Sequence, residues 1–220
     1  MSVPEPPVRR VVVVHGYDAA PDAHWLPWLR EALEADGVEV VLARLPEPSF
    51  PEAGAWLDAV GEAVGTPDRH THLVGHSLGC ITLLRHLARL PRPWSLGGLV
   101  LVAGFTGPLA STPVLDAFLA EDVDVSAVRT GARHRLVLRS DDDPTVPAAA
   151  SEELAARLDA PVLVVPGAGH FRGADGVVRL PPVLHAIVPR SGAPAPGAGS
   201  AGERQQHGLG RAEQPDRGEA

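Results

Sequence analysis

Three kinds of residue in this chain could together carry out nucleophilic chemistry. They are the serine of Gly75-His76-Ser77-Leu78-Gly79, the aspartate run Asp141-Asp142-Asp143, and His170 in "GAGHF". A serine hydroxyl is a poor nucleophile at neutral pH and needs a base within hydrogen-bond reach to take its proton. An imidazole can do this and later return the proton to a leaving group. A carboxylate behind the imidazole fixes its tautomer and stabilises the imidazolium. Each piece alone has an ordinary explanation. A G-x-S-x-G match arises easily in a chain with 23 glycines, any one of 10 histidines can sit in a surface loop, and an aspartate run can be a solvated turn. Their joint placement along the chain separates chemistry from chance.

That placement follows from the elements. "RRVVVV" (Arg9 to Val14) is a continuous β-branched run, the mark of a strand buried on both faces. Further strands read as "VEVVLARL", "THLV", "LGGLVLVAGF", "HRLVLRS" and "APVLVVPG". Between them lie helical patterns. "WLPWLREALEADG" carries Trp25, Leu29, Ala32 and Leu33 on one face, with Pro27 in the first turn and Gly37 as its stop. "PEAGAWLDAVGEAVG", "LGCITLLRHLARL" and "AAASEELAARL" follow, a helix is expected around "TPVLDAFLAED", and a last short one near the end of "VVRLPPVLHAIV". Alternating strands and helices predict an α/β fold, a largely parallel sheet with helices on both faces. Ligands bind such sheets at the carboxyl ends of the strands. Ser77 follows the third strand, Asp141 to Asp143 the fifth and His170 the sixth, in the order Ser, Asp, His of α/β-hydrolases.

The glycines beside Ser77 allow a sharp strand-to-helix turn. They place the Leu78 N–H at a helix N-terminus, aimed at a developing oxyanion. A second donor is expected after the first strand, where Tyr17 follows His15-Gly16. Any of the three aspartates could orient the histidine, and Asp143 differs in standing directly before Pro144. His15 and His76 flank the expected site. Trp25, Trp28 and Trp56 are expected in the core or a pocket wall, and Cys80 as a small buried hydrophobe. The alternating pair His70 and His72 reads as a strand entrance, and no metal is expected.

Composition narrows the partners. The net charge of the 220 residues is -8, which disfavours nucleic acid and anionic membrane. All 19 basic residues are Arg, a bias of the kind a GC-rich bacterial genome imposes. With no Lys, a phosphate-binding G-x-x-x-x-G-K-[ST] loop is excluded, and no cofactor is expected. Cys80 is the only cysteine, so no intramolecular disulfide forms. The start of the chain lacks signal-peptide character and no apolar run approaches the roughly 20 residues of a membrane span, so a soluble cytoplasmic protein is expected. Residues 1–188 read as one domain. From Pro189 to Ala220 large apolar residues almost vanish, and Arg190, Arg204, Arg211 and Arg217 balance Glu203, Glu213, Asp216 and Glu219. A disordered tail is expected there.

The chain resembles the small serine hydrolases related to retinoblastoma-binding protein 9. The shared features are "VVVVHG", the "HWLPWLREALE" segment, "LPEP" before the Trp56 helix, "LVGHSLG", "SDDDPTVP" and "GAGHF", covering residues 9–188. The resemblance implies a three-layer, six-stranded α/β-hydrolase without a cap domain. It implies a triad of Ser77, Asp143 and His170, with Tyr17 and Leu78 as backbone oxyanion donors. The L-x-C-x-E motif of retinoblastoma binding is absent from the corresponding stretch, Gly65 to Arg69, so that partner is not expected. The reading is a hydrolase of small carboxylic esters. An amidase or aminopeptidase-like activity on the same residues, and a hydrolase-fold protein-binding module, are the alternatives.

Overall fold

Val11 to Val14 have no polar residue among them, and all four are at most 1% exposed. They form the centre of β1 (Arg10–Val14). The structure, a computed structural model, describes residues 6–188, so the expected disordered tail lies outside the described residues. β2 (Glu39–Leu42), β3 (Thr71–His76), β4 (Leu96–Val102), β5 (Ala132–Ser140) and β6 (Val162–Val165) complete one sheet in the order β2-β1-β3-β4-β5-β6. Every neighbouring pair is parallel, a stricter arrangement than the largely parallel sheet expected. β3 continues two residues past the expected "THLV", so Gly75 and His76 are still strand when the chain reaches Ser77.

The order explains the layers. From β1 the chain steps outward to β2, then returns past β1 to β3 and continues in the other direction. Right-handed crossovers place helices on opposite faces when the direction reverses. α1 (Leu26–Ala35) accordingly packs with α7 (Pro181–Ile187) on one side. On the other, α2 (Ala53–Val64) packs with α3 (Leu78–Arg89), α3 with α5 (Ser126–Gly131), and α5 with α6 (Ala148–Leu158). The reversal leaves a crevice at the carboxyl ends of β1 and β3, the place where sheets of this kind bind ligands.

Local chemistry sets the helix ends. Pro27 stands in the first turn of α1, where its missing N–H costs nothing, and Gly37 follows the helix at φ 77°. The Glu52 carboxylate caps α2 by accepting from the Gly54 and Ala55 amides at 3.0 and 2.7 Å. The helix expected over "TPVLDAFLAED" is broken into a 3-10 turn, Pro113–Leu115, and a single α turn, α4 (Asp116–Leu119). Its carbonyls find a different partner: the buried Arg85 guanidinium of α3 donates to Phe118 O at 2.6 Å and to Glu121 O. Among the described residues this short segment lies between β4 and α5, and no cap domain is present. No helix among them is long and apolar enough to cross a membrane.

Candidate active site

Ser77 sits between β3 and α3 at φ 54°, ψ −121°. A non-glycine residue rarely holds a positive φ, and such a conformation costs about 1–3 kcal/mol unless its surroundings enforce it. Here they do. The Ser77 N–H donates to Val102 O at 2.9 Å, and the Cys80 N–H donates to Ser77 O at 2.9 Å. The flanking glycines are sterically required: a Cβ on Gly75 would lie 2.9 Å from the Cys80 Cα, and one on Gly79 would lie 2.5 Å from the carbonyl oxygens of Val14 and His15. The pentapeptide is therefore the form a serine takes when α3 must cross the end of β1 at backbone contact.

Asp143 closes the turn after β5. Its Oδ1 accepts from the Thr145 and Val146 amides at 2.8 and 2.9 Å, which leaves Oδ2 facing the site. Pro144 between them has no N–H to compete. Oδ2 lies 2.8 Å from His170 Nδ1, and both side chains are nearly enclosed, at 4% and 8% exposure. On the far side of the ring, Nε2 lies 2.9 Å from Ser77 Oγ. A carboxylate can only accept, so Nδ1 carries the proton, and Nε2 presents its lone pair to the serine hydroxyl. The three residues singled out from the sequence thus meet in one hydrogen-bonded chain.

Asp141 and Asp142 do not reach the ring. They hold the backbone of the histidine loop, Asp141 Oδ1 accepting from the Gly167 N–H and Asp142 Oδ1 from the Gly169 N–H, each at 2.8 Å. The Ser140 hydroxyl accepts from the Ala168 N–H at 3.1 Å. The bonds from Ser140 and the Gly169 amide lower the Asp142 pKa and keep it ionised. A glycine-rich loop leaves amides without partners, and the adjacent "SDDD" supplies acceptors. That pairing was a signal available in the sequence.

Gly16 stands directly beside Ser77: a Cβ there would be 2.9 Å from Ser77 Cβ. The peptide that follows it carries the Tyr17 N–H. Leu78 is the first residue of α3, where backbone N–H groups have no intrahelical acceptor. Both expected oxyanion donors therefore border Ser77.

The other histidines divide. His15 is buried, donates from Nδ1 to Gly16 O at 2.9 Å and meets Trp56 edge-on; burial lowers its pKa. His76 is also buried and lies against His170 and Trp25. Burial, more than the neighbouring imidazoles, depresses its pKa to about 3, so it is neutral. His70 bonds Pro7 O from Nδ1, while His72 packs against Gly97 and Gly98 of β4. No group of three His, Cys, Asp or Glu that could hold a metal exists among the described residues. Trp25 and Trp56 are core, Trp28 packs on its edge, and Cys80 is buried with its pKa raised by desolvation. A separate open cleft of about 380 Å³ lies between the segment after β4 and α6, lined by Thr106, Leu109, Leu119, Asp122, Glu153 and Arg157. None of Ser77, Asp143 and His170 lines it.

A parallel sheet with its switch at β1 and β3, a serine on a strained strand-to-helix turn and a histidine bridging it to a carboxylate define an α/β-hydrolase. The sequence profile of the serine hydrolase family matches residues 11–188, and the chain belongs to that family. It is 39% identical over 180 residues to the YdeN protein of Bacillus subtilis (strain 168), covering 82% of this chain and 95% of that one. It is 25% identical over 153 residues to the serine hydrolase RBBP9 of Rattus norvegicus, covering 69% and 80%. The crystal structure of the B. subtilis ydeN product superposes with a TM-score of 0.79 at 38% identity, over 82% of this chain and 97% of that one. These findings agree with the family resemblance read from the motifs.

Proposed function

We propose that this serine hydrolase cleaves small carboxylic esters through an acyl-enzyme, with Ser77 as nucleophile, His170 as base then acid, and Asp143 as the group that orients it. The observation that carries this reading is the unbroken chain from Asp143 Oδ2 through both nitrogens of His170 to Ser77 Oγ, at 2.8 and 2.9 Å. As Oγ bonds to the ester carbonyl carbon, its proton passes to His170 Nε2 and the carbonyl oxygen becomes an oxyanion. The Tyr17 and Leu78 N–H groups receive that charge. Collapse of the tetrahedral adduct breaks the C–O bond, and the Nε2 proton leaves with the alcohol. Water then repeats the sequence on the acyl-serine, giving the acid and restoring Ser77.

Asp143 is buried with its remaining oxygen already occupied by two amides, which suits it to hold the ring without moving. The site uses only groups of the chain itself and calls for no cofactor. Esters demand least of such a site, because an ester carbonyl is more electrophilic than an amide and an alkoxide is a far better leaving group than an amine anion. Ser77→Ala is expected to abolish both p-nitrophenyl acetate hydrolysis and fluorophosphonate labelling, and undiminished turnover in that variant would overturn the proposal. A matched panel of acyl esters and acyl arylamides ranks ester against amide cleavage. A stoichiometric protein partner retained by Ser77→Ala, with no substrate turned over, would establish the binding-module alternative instead.

A further inference from the structure

His170 is the last of the three residues in the chain and travels furthest. It leaves β6, the outermost strand, and must reach Ser77 after β3, three strands inward. The loop that carries it, residues 166–171, has no regular structure of its own. Yet each of the four polar atoms of His170 has a partner. Nδ1 meets Asp143 and Nε2 meets Ser77. The backbone N–H donates to Asp175 Oδ2 at 3.0 Å, and the backbone carbonyl accepts from His76 Nε2 at 2.9 Å.

Those last two bonds hold the peptide groups before and after the His170 Cα, and each partner is itself held. The Asp175 carboxylate also accepts from the Arg172 amide and from Nε and an Nη of its guanidinium, at 3.1, 3.1 and 3.2 Å. The Arg172 pairing keeps the Asp175 pKa low, so the acceptor stays charged. Gly169, at φ 51°, leaves it room: a Cβ there would lie 2.7 Å from the Asp175 Cγ. His76 is at the end of β3, one residue before the nucleophile, with its ring wedged between Trp25, His24 and His170. Its Nδ1 makes no hydrogen bond with any described residue. The bond it does make, from Nε2–H to a carbonyl, fixes which nitrogen carries its proton.

We infer that Asp175 and His76 are positioning residues, a two-sided clamp on the His170 peptide that sets the distance from Nε2 to Ser77 Oγ. This rests on the reading of His170 as the base of a serine hydrolase. The two anchors have different origins: His76 references the histidine to the strand that carries the nucleophile, and Asp175 references it to its own loop. With both in place, the peptide groups on either side of the His170 Cα are tied, which restrains backbone drift of the ring. Misplacement of a base by about 1 Å can cost roughly 100-fold in rate.

The test compares Asp175→Ala with Asp175→Asn, and His76→Leu with His76→Gln. Asn keeps an oxygen for the His170 N–H, and Gln keeps an N–H at the reach of the imidazole Nε2. For p-nitrophenyl acetate, Asp175→Ala and His76→Leu should lower kcat by about 10- to 100-fold. KM should stay within about twofold, because the lost term acts on the chemical step. Asn and Gln should restore kcat to within about fivefold of the parent. The second readout is independent of turnover: the low-field proton resonance of His170 Nδ1–H bonded to Asp143 should broaden or vanish in Ala and Leu and persist in Asn and Gln. Wild-type kcat and an intact resonance in folded Asp175→Ala would overturn the clamp, as would Asn and Gln variants as impaired as Ala and Leu. Should His76→Leu fail to fold, the Asp175 pair decides, because that side chain is 18% exposed and borders solvent. A parent protein that neither labels nor turns over would refute the esterase reading, while the resonance would still decide the clamp.

Discussion

The His76 ring lies 5.2 Å from that of His170 at a 40° tilt, and its Nε2 donates to the His170 carbonyl at 2.9 Å. A second imidazolium has no place there. Protonating His76 would bury a charge against Trp25 beside two further imidazoles, those of His24 and His170.

This sets a pH dependence of stability. Below about pH 6.5 the unfolded chain protonates His76, while the folded one keeps it neutral until about pH 3. The unfolded state then binds more protons, so stability is complete above pH 6.5 and is lost as pH falls from there toward 3. The slope from this group approaches about 1.4 kcal/mol per pH unit. His15 and His24, whose pKa values are also lowered chiefly by burial, act in the same direction. Urea unfolding at pH 7 and pH 5 should show a large loss in the parent and a distinctly smaller one in His76→Gln.

Asp143→Asn should leave the turn intact, because Oδ1 can still accept from Thr145 and Val146. The amide facing His170 would instead favour the tautomer with its proton on Nε2, which cannot receive one from Ser77. A fall in kcat/KM of about 10³- to 10⁴-fold is expected, with a Tm within a few degrees of the parent.

Cys80 lies three residues past Ser77, yet burial raises its pKa and its thiol contacts Val102 O at 3.5 Å. The native protein should be inert to iodoacetamide, with hydrolase activity unchanged after long exposure. In denaturant the single cysteine should react with Ellman's reagent.

Arg85 ties α3 to the segment after β4, bonding Phe118 O and Glu121 O with its guanidinium 5.6 Å from the Phe118 ring centre. Phe118 in turn meets Trp56 edge-on, and Trp56 meets His15. Arg85→Met should lose about 1.5–3 kcal/mol of stability. Hydrogen exchange should quicken first over Asp116–Leu119, the turn those bonds hold.

Much of this arrangement was legible from residue types. The β-branched runs placed the strands, and their alternation with helices implied the parallel sheet. The flanking glycines marked where α3 crosses β1. The choice among Asp141, Asp142 and Asp143 was not decidable from chemistry, because three adjacent carboxylates are equivalent until the turn is folded. Pro144 and the two amides beyond it separate them in space. His76 stood in plain view beside Ser77, but its partner is 94 residues away, a distance no local periodicity reports. Asp175 depends on the positive φ of Gly169, which the sequence permits without specifying. The segment after β4 misled because its helical pattern was right for one turn only, and a tertiary contact from Arg85 took the carbonyls that a longer helix would have used.

β6 is four residues long, pairs on one side only among the described residues, and leaves Val162 and Val164 at 38% and 39% exposure. Ser77 belongs to the middle of the sheet and His170 to the margin. The margin is where a protein opens first under heat or denaturant. Such an opening would pull the His170 loop against its bonds to His76 and Asp143, while Ser77 stays in its strained turn among strands that remain paired. If Ser77 and His170 act as proposed, activity should therefore be lost before the sheet unfolds and return when the outermost strand docks again.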